Sequence, residues 1–442
     1  MFSVIISTYN GSDHILSTIE NVKNALKNFN YEMIIVNDGS VDNTSKLLET
    51  FKNDDHFKIL TQKNKGISAS RNRGMRHISP LSKYVVFIDD SDQVRENFFE
   101  KIDAFFREHD DIDVAATPLI RIKKGVQSQH SLNYRFHANK QIVDIHTDYQ
   151  FIQFHIGGMV FRKELLVDLN YQFDEDLNFW EDAKFINTII LDTEKYGLIP
   201  DTAYFYNSEN PNSLSRVAWK LEERYIPLIE NSYMFLIEQS NKRFNKTIKY
   251  IQFLVATHYS EYLKFYNQNK IINNSFFDID KFEATSKKLF QNIDIDTIYQ
   301  LKISYAYMNY MLNLKGEQLD IHQLSEEISV YIHSFNILTR NSIFSFSGES
   351  YSIPLNANVY LKYASNKLKQ AKLIEHRSTS ILGRPINDFS KNLYKIKIPL
   401  ISLFFRSRML INVNDIIFAI NNPSIISRIL KNIRKQINYR RK

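Results

Sequence analysis

Three aspartates, Asp89, Asp90 and Asp92, crowd the end of the apolar run Tyr84–Ile88. A β-prone run followed by polar residues reads as a buried strand that delivers its acids to the edge of a core. Like charges this close repel one another unless a cation sits among them, and oxygen-only donors suit Mg2+ or Mn2+. An exposed acidic loop would have the same composition, so the turn must be read with its neighbours. Asp38 follows a second apolar run, Glu32–Val36, within Asn37-Asp38-Gly39-Ser40. Glu181 and Asp182 open the helical stretch AKFINTIILD, where acids complement the helix dipole whatever else they do.

The elements that position these acids alternate. Ser3–Ser7 reads as a strand ending in the turn Thr8-Tyr9-Asn10-Gly11, and a helical stretch runs from about Ser12 to Asn28. Glu32–Val36 is the second strand, with Asp42, Asn43 and Thr44 capping the next helix. His56–Leu60 is the third strand, the loop Gln62–Gly74 leads into a helix, and Tyr84–Ile88 is the fourth strand. Short, continuously apolar strands separated by helices predict a largely parallel sheet covered on both faces, an α/β fold. Ligands of such sheets bind beyond the carboxyl ends of the strands. Those ends carry Thr8-Tyr9-Asn10, Asn37-Asp38 and Asp89–Asp92, so three polar clusters are expected on one rim.

The segments STYN, VNDGSVDNT, NKGISASRNRG and FIDDSD, in this order and spacing, resemble a family-2 glycosyltransferase with the GT-A nucleotide-sugar fold, of the kind that builds bacterial surface polysaccharide, teichoic acid or adhesin glycans. The resemblance covers about residues 1–216. Gly157-Gly158-Met159-Val160-Phe161-Arg162 resembles the strand before the acceptor site, and Glu181-Asp182 resembles the family's E-D pair. The resemblance implies that Asp182 is the catalytic base and that Glu181 orients the acceptor. It implies that Thr8, Tyr9, Asn10 and Asp38 hold the nucleotide of a UDP-sugar, with Asn64, Gly66 and Arg71 near the base and diphosphate. An arginine suits anionic oxygen there. The acidic motif departs from the usual D-S-D-D. Ser91 stands at the usual third-position ligand, so a metal is expected on the pair Asp90 and Asp92 with Asp89 in support. A histidine that some relatives bring to the metal has no counterpart in Thr202–Arg216, where Ser213, Ser215 and Arg216 could reach a diphosphate. One base opposite the leaving group implies single displacement with inversion, and a retaining variant stays open.

The second half has another texture. From about Val217 to residue 339 aromatic and apolar residues recur at three- and four-residue intervals, which predicts a helical region. Residues 340–420 alternate and predict a small β-rich accessory module, a scaffold or oligomerisation piece as readily as a glycan-binding one. From residue 421 a basic amphipathic tail places Ile425, Ile429, Ile433 and Ile437 four apart, against a membrane surface or against the protein itself.

Composition bounds the rest. The 442 residues are 43% apolar, enough for a folded core. There are no cysteines, so disulfides and thiolate chemistry are excluded and a reducing cytoplasm fits. The amino terminus enters a strand without a basic n-region or cleavage site, which argues against secretion, and no apolar run is long enough for a membrane span. The net charge of +7 equals the seven basic residues of Ser424–Lys442, so the remainder balances in sum and general nucleic-acid binding loses support. A cytoplasmic, metal-dependent enzyme transferring sugar to a surface glycan or polymer precursor is expected, peripheral at the membrane if the tail binds there. A glycoprotein acceptor or a non-catalytic polymer-binding scaffold is the alternative; the sugar and the oligomeric state are not legible. A nucleotidyltransferase should show a glycine-rich phosphate loop after the first strand, and STYNGSDH is not one.

Overall fold

The structure is a computed structural model. It describes residues 1–209, 217–319, 330–346, 357–364, 366–377, 379–386, 392–403, 407–413 and 416–419. Ser213, Ser215, Arg216 and the basic tail lie outside the described residues. The chain divides into two compact units, Met1–Ala256 with Asp280–Ile293, and Thr257–Ile279 with Asp294–Lys442.

In the first unit the four expected strands form and lie parallel. They are β1 (Phe2–Thr8), β2 (Tyr31–Asn37), β3 (Phe57–Thr61) and β4 (Tyr84–Asp89). β1, β2 and β4 are apolar through their centres because both faces are covered, and Val4, Ile5, Ile34, Val85 and Phe87 are all buried, whereas the edge strand β3 is mostly half-buried. The helix α1 (Ile15–Ala25) buries Ile15, Ile19 and Val22 at the expected spacing, the short α2 (Thr44–Leu48) follows β2, and α3 (Ile67–Met75) packs on β1. A Cβ on Gly74 of α3 would lie 2.5 Å from Ile5 Cγ2, so the close approach of helix to strand requires glycine there.

The sheet then turns mixed. β10 (Met159–Arg162) lies antiparallel between β4 and β6 (Val114–Ala116), and β11 (Lys195–Leu198) and β9 (Ile142–Asp144) complete eight strands in the order β3-β2-β1-β4-β10-β6-β11-β9. A second sheet beside it runs β5 (Gln93–Val94), β12 (Tyr204–Asn207), β7 (Leu119–Lys123), β8 (Val126–Gln129). After α4 (Phe98–Glu108) and α5 (Lys163–Asp168), the helix α6 (Glu181–Thr193) carries the acidic pair in its first turn.

The expected helical texture, divided between the two units, holds from Met234–Phe244 through Tyr305–Lys315, and the next described strand is Val330–Phe335, ahead of residue 340. β13 (Val330–Phe335), β14 (Asn341–Phe346), β20 (Leu393–Lys397) and β17 (Lys372–Glu375) form one sheet in that order. β16 (Lys367–Gln370), β15 (Ala357–Tyr363), β21 (Arg408–Val413) and β22 (Ile416–Ala419) form another, and β18 (Thr379–Ile381) pairs with β19 (Arg384–Ile386). Phe344, Phe346, Tyr394, Ile396, Val359 and Leu361 are buried within this β-rich part. No helix among the described residues is long and apolar enough to cross a membrane.

Candidate active site

Strand register sets the rim. Thr8 pairs with Asn37, Asn37 with Thr61, and Ser7 with Asp89, so the polar ends of all four parallel strands stand level. Asp38, just past β2, is 4% exposed and organises the floor. Its Oδ1 accepts from Gln62 Nε2 (2.8 Å) and the Lys65 amide (2.9 Å), and its Oδ2 accepts from the Gly66 amide (2.8 Å). Gly66 begins α3 at φ +90°, a left-handed conformation that favours glycine, and Asn64 beside it is exposed. Asn10 ties the first turn to the second, its amide donating to Ser40 Oγ and its Oδ1 accepting from the Val41 amide. Tyr9 is 50% exposed at the mouth.

The acidic turn is less open than its composition suggests. Asp90 Oδ2 accepts from the Thr8 hydroxyl at 2.6 Å, and the Asp90 carbonyl accepts from Thr18 Oγ1. Burial, and then the neighbouring Asp89 charge, push its carboxyl up to about 6 against the pull of the Thr8 hydrogen bond. Asp92 is 4% exposed and both its oxygens are engaged, Oδ2 by the Tyr204 hydroxyl (2.7 Å) and Oδ1 by the Asn207 amide (2.8 Å). Burial and the Asp89 charge hold its carboxyl well above the usual range. The Tyr204 hydroxyl in turn accepts from the Asp89 amide. Asp90 is thus pinned to the end of β1 and Asp92 to β12, whereas they were expected as the metal pair. Asp89 is the half-exposed member of the three: its Oδ1 faces Arg71, its Oδ2 has no partner among the described residues, and the side chain is 44% exposed.

Arg71 joins the two acidic clusters. It is 4% exposed, donates from Nη2 to Asp89 Oδ1 and from Nη1 to Glu181 Oε1, both at 3.1 Å, and lies over the Phe173 ring. Asn72 clamps the same segment: its Oδ1 accepts from the Phe173 amide and its Nδ2 donates to the Phe173 carbonyl and to Glu175 Oε1. Both contacts follow from adjacent residues of the SRNRG motif and cross about a hundred positions of chain, which is why sequence reading placed Arg71 toward a ligand only.

Glu181 and Asp182 enter α6 from Trp180, a buried residue at φ +69°. A large side chain rarely takes that backbone region, so the turn is strained and fixed by packing, with Trp180 set edge-on to Tyr233. Glu181 is 7% exposed, and burial and the adjacent Asp182 push its carboxyl up to about 7 while Arg71 pulls it down. Asp182 is half-buried and also raised by burial; its Oδ1 accepts from the Ala183 amide and its Oδ2 faces the Ile156 amide at 3.4 Å. His155, just before β10, and His130, just after β8, add two imidazoles that have no counterpart among the motifs of the sequence. His155 Nδ1 accepts from the Gly157 amide, and its ring lies 5.8 Å from His130 and 5.6 Å from Tyr206. Burial keeps both histidines neutral near pH 7, His130 down to about 3.

The described residues contain no group of three His, Cys, Asp or Glu arranged to hold a metal ion. The donor set still accommodates one through Asp89 Oδ2, because Mg2+ and Mn2+ are commonly held by one or two carboxylates together with substrate phosphates and water.

Comparison with known proteins gives this arrangement its context. The model of the family described as "Glycosyl transferase family 2" matches residues 3–169, the span of the parallel strands and the acidic turn. The minor teichoic acid biosynthesis protein GgaA of Bacillus subtilis (strain 168) is 30% identical over 422 residues, covering 92% of this chain and 93% of that protein. The poly(ribitol-phosphate) beta-N-acetylglucosaminyltransferase TarS of Staphylococcus aureus (strain Mu50 / ATCC 700699) is 26% identical over 46% of this chain and 35% of its own. The crystal structure of S. aureus TarS 1–349 in complex with UDP-GlcNAc superposes with a TM-score of 0.55 at 16% identity, over 79% of this chain and 98% of that one, a likeness of fold. With a relative that similar along nearly its whole length, and with the family's domain laid over the rim just described, the protein belongs to glycosyl transferase family 2 and is a glycosyltransferase.

Proposed function

We propose that the protein moves one sugar from a UDP-sugar to a hydroxyl of an anionic bacterial surface polymer of the teichoic acid type, in a single inverting displacement. The Arg71 bridge is the observation that carries this reading. It fixes the donor-side acid Asp89 and the E-D pair in one rigid frame, as a transfer between two substrates requires. The names borne by GgaA and TarS support the polymer class.

The roles divide by environment. Asp182, half-buried and raised above the usual carboxylate range, takes the acceptor hydroxyl's proton, a contribution typically on the order of 10²–10⁴-fold. Glu181, buried and paired with Arg71, orients the acceptor. Asp38 keeps one lone-pair direction on Oδ2 for an N–H of the nucleotide base, with Thr8 and Gly66 beside it and Tyr9, Asn10 and Asn64 exposed at the rim to hold the rest of the nucleotide. Mg2+ or Mn2+ on Asp89 would supply positive charge to the departing diphosphate, with the buried carboxyl groups of Asp90 and Asp92 behind it.

The test is a panel of nucleotide sugars with Mn2+ or EDTA, reading release of the nucleoside diphosphate. Turnover of one UDP-sugar, with donor binding kept and transfer lost in Asp182→Asn, is the expected result. If no nucleotide sugar binds or turns over, the reading fails and a non-catalytic polymer-binding scaffold replaces it.

A further inference from the structure

The near-neutral sum of the chain outside its tail conceals an uneven distribution. Between residues 330 and 423 the sequence has twelve Lys and Arg against four Asp and Glu, so the rest of the chain before the tail is acidic. Among the described residues of that stretch Glu375 is the sole acid, and Arg377 neutralises it at 2.8 Å.

The strand register concentrates this charge. Lys372 on β17 stands directly opposite Lys395 on β20, and Lys397 follows two positions along the same face. On the other sheet Lys362 of β15 stands directly opposite Arg408 of β21. Like charges in direct cross-strand register are destabilising. Each sheet carries such a pair, and none of these five side chains makes an ion pair among the described residues. Where the chain steps from β16 to β17 a cleft of about 650 Å³ opens, lined by Lys372, Asn358, Gln370 and Tyr394. Asn358 and Gln370 are exposed and hydrogen-bonded to each other there, and the buried Tyr394, packed on Phe344, backs the cleft.

We propose that this β-rich part binds the acceptor as a polyanionic chain: the cleft takes a hydroxyl-rich unit through its exposed amides, and the lysine pairs take the flanking phosphodiesters. Phosphate placed between Lys372 and Lys395 relieves the repulsion that the register imposes. A cleft with amide and lysine walls suits a flexible chain better than a flat lipid surface, and the uniform positive charge opposes self-association. The proposal rests on the reading of the acceptor as an anionic polymer. Its consequence is that polymer is held on the enzyme between transfers, at raised effective concentration.

The test uses the full chain and three probes, a synthetic oligo(glycerol phosphate), a neutral dextran of similar length, and phosphatidylglycerol vesicles. The variant Lys372→Gln/Lys395→Gln/Lys397→Gln is compared with the charge-preserving Lys372→Arg/Lys395→Arg/Lys397→Arg. The glutamine variant is expected to bind the oligophosphate about tenfold more weakly, with the slope of log K against log salt reduced by about two. The arginine variant keeps binding, dextran binds neither more nor less, and release of nucleoside diphosphate from the donor is unchanged. Oligophosphate binding that survives the glutamine substitutions, a loss confined to the vesicles, or a glutamine variant that differs from wild type in oligomeric mass would each overturn the proposal. Loss of donor turnover in the wild-type protein would instead strike the catalytic reading, because polymer binding is measured without it.

Discussion

Replacing Arg71 by Gln removes the charge that joins the two acidic clusters while keeping most of the side chain's length. At an effective dielectric of about 20, unit charges at the observed 3.1 Å attract with about 5 kcal/mol before desolvation is counted. Breaking a buried pair by removing one partner typically costs about 3–5 kcal/mol. Asp89 is nearly half exposed, so its share is screened to at most about 1 kcal/mol, and the larger share belongs to Glu181. That share depends on pH. Glu181 sits at about 7 in the folded protein, above its ordinary 4.5, so its protonation favours folding below about 4.5 and this contribution is lost as pH rises through 7. Above 7 Glu181 is ionised and relies on Arg71; near pH 5.5 it is already protonated and the arginine matters little. Arg71→Gln should therefore lower unfolding stability by about 3 kcal/mol at pH 8 and by less than about 1 kcal/mol at pH 5.5. The same arginine lowers the Asp182 pKa, so the acid limb of kcat/KM should move to higher pH in Arg71→Gln and stay near its place in Arg71→Lys. Chemical denaturation at the two pH values and a pH–rate profile provide the measurements. A stability loss that is equal at both pH values, or an acid limb that stays still, would refute the coupling.

Tyr204→Phe deletes the hydroxyl that donates to Asp92 and accepts the Asp89 amide, and should cost about 1–3 kcal/mol in unfolding free energy while weakening donor binding in calorimetry. Gly74→Ala drives a methyl against Ile5 on β1, and about 1–3 kcal/mol of destabilisation should appear in the thermal midpoint with α3 displaced. Asp89→Asn keeps the size of the side chain but removes the half-exposed carboxylate whose Oδ2 has no partner among the described residues. It should abolish Mn2+ stimulation of donor turnover, whereas Asp92→Asn should act mainly on stability.

Much of the first unit was legible because its information is local. An apolar run such as Val4–Ile6 can only be a covered strand, and four such runs ending in polar turns leave few topologies. The acids themselves were legible, but their orientation was not. Whether Asp92 faces a ligand or turns to Tyr204 depends on a strand more than a hundred residues away. Trp180 carries no sequence mark of a left-handed backbone, because it is a bulky residue where glycine or asparagine would be the usual sign. His155 gave no motif, and its place beside the acids comes from the antiparallel return of β10. In the second unit the charge summed over the chain hid a contrast that appears only when strand register sets lysine against lysine.

The three hydrogen bonds that Asp38 draws from Gln62, Lys65 and Gly66 bear on how fast the enzyme can load its donor. A loop already closed upon a carboxylate has no chain entropy left to surrender when a nucleotide arrives. Association at this floor then runs as an encounter between preformed surfaces rather than as folding around a guest. The rate of capture is set by diffusion and charge, and discrimination among donors falls to how long each one stays.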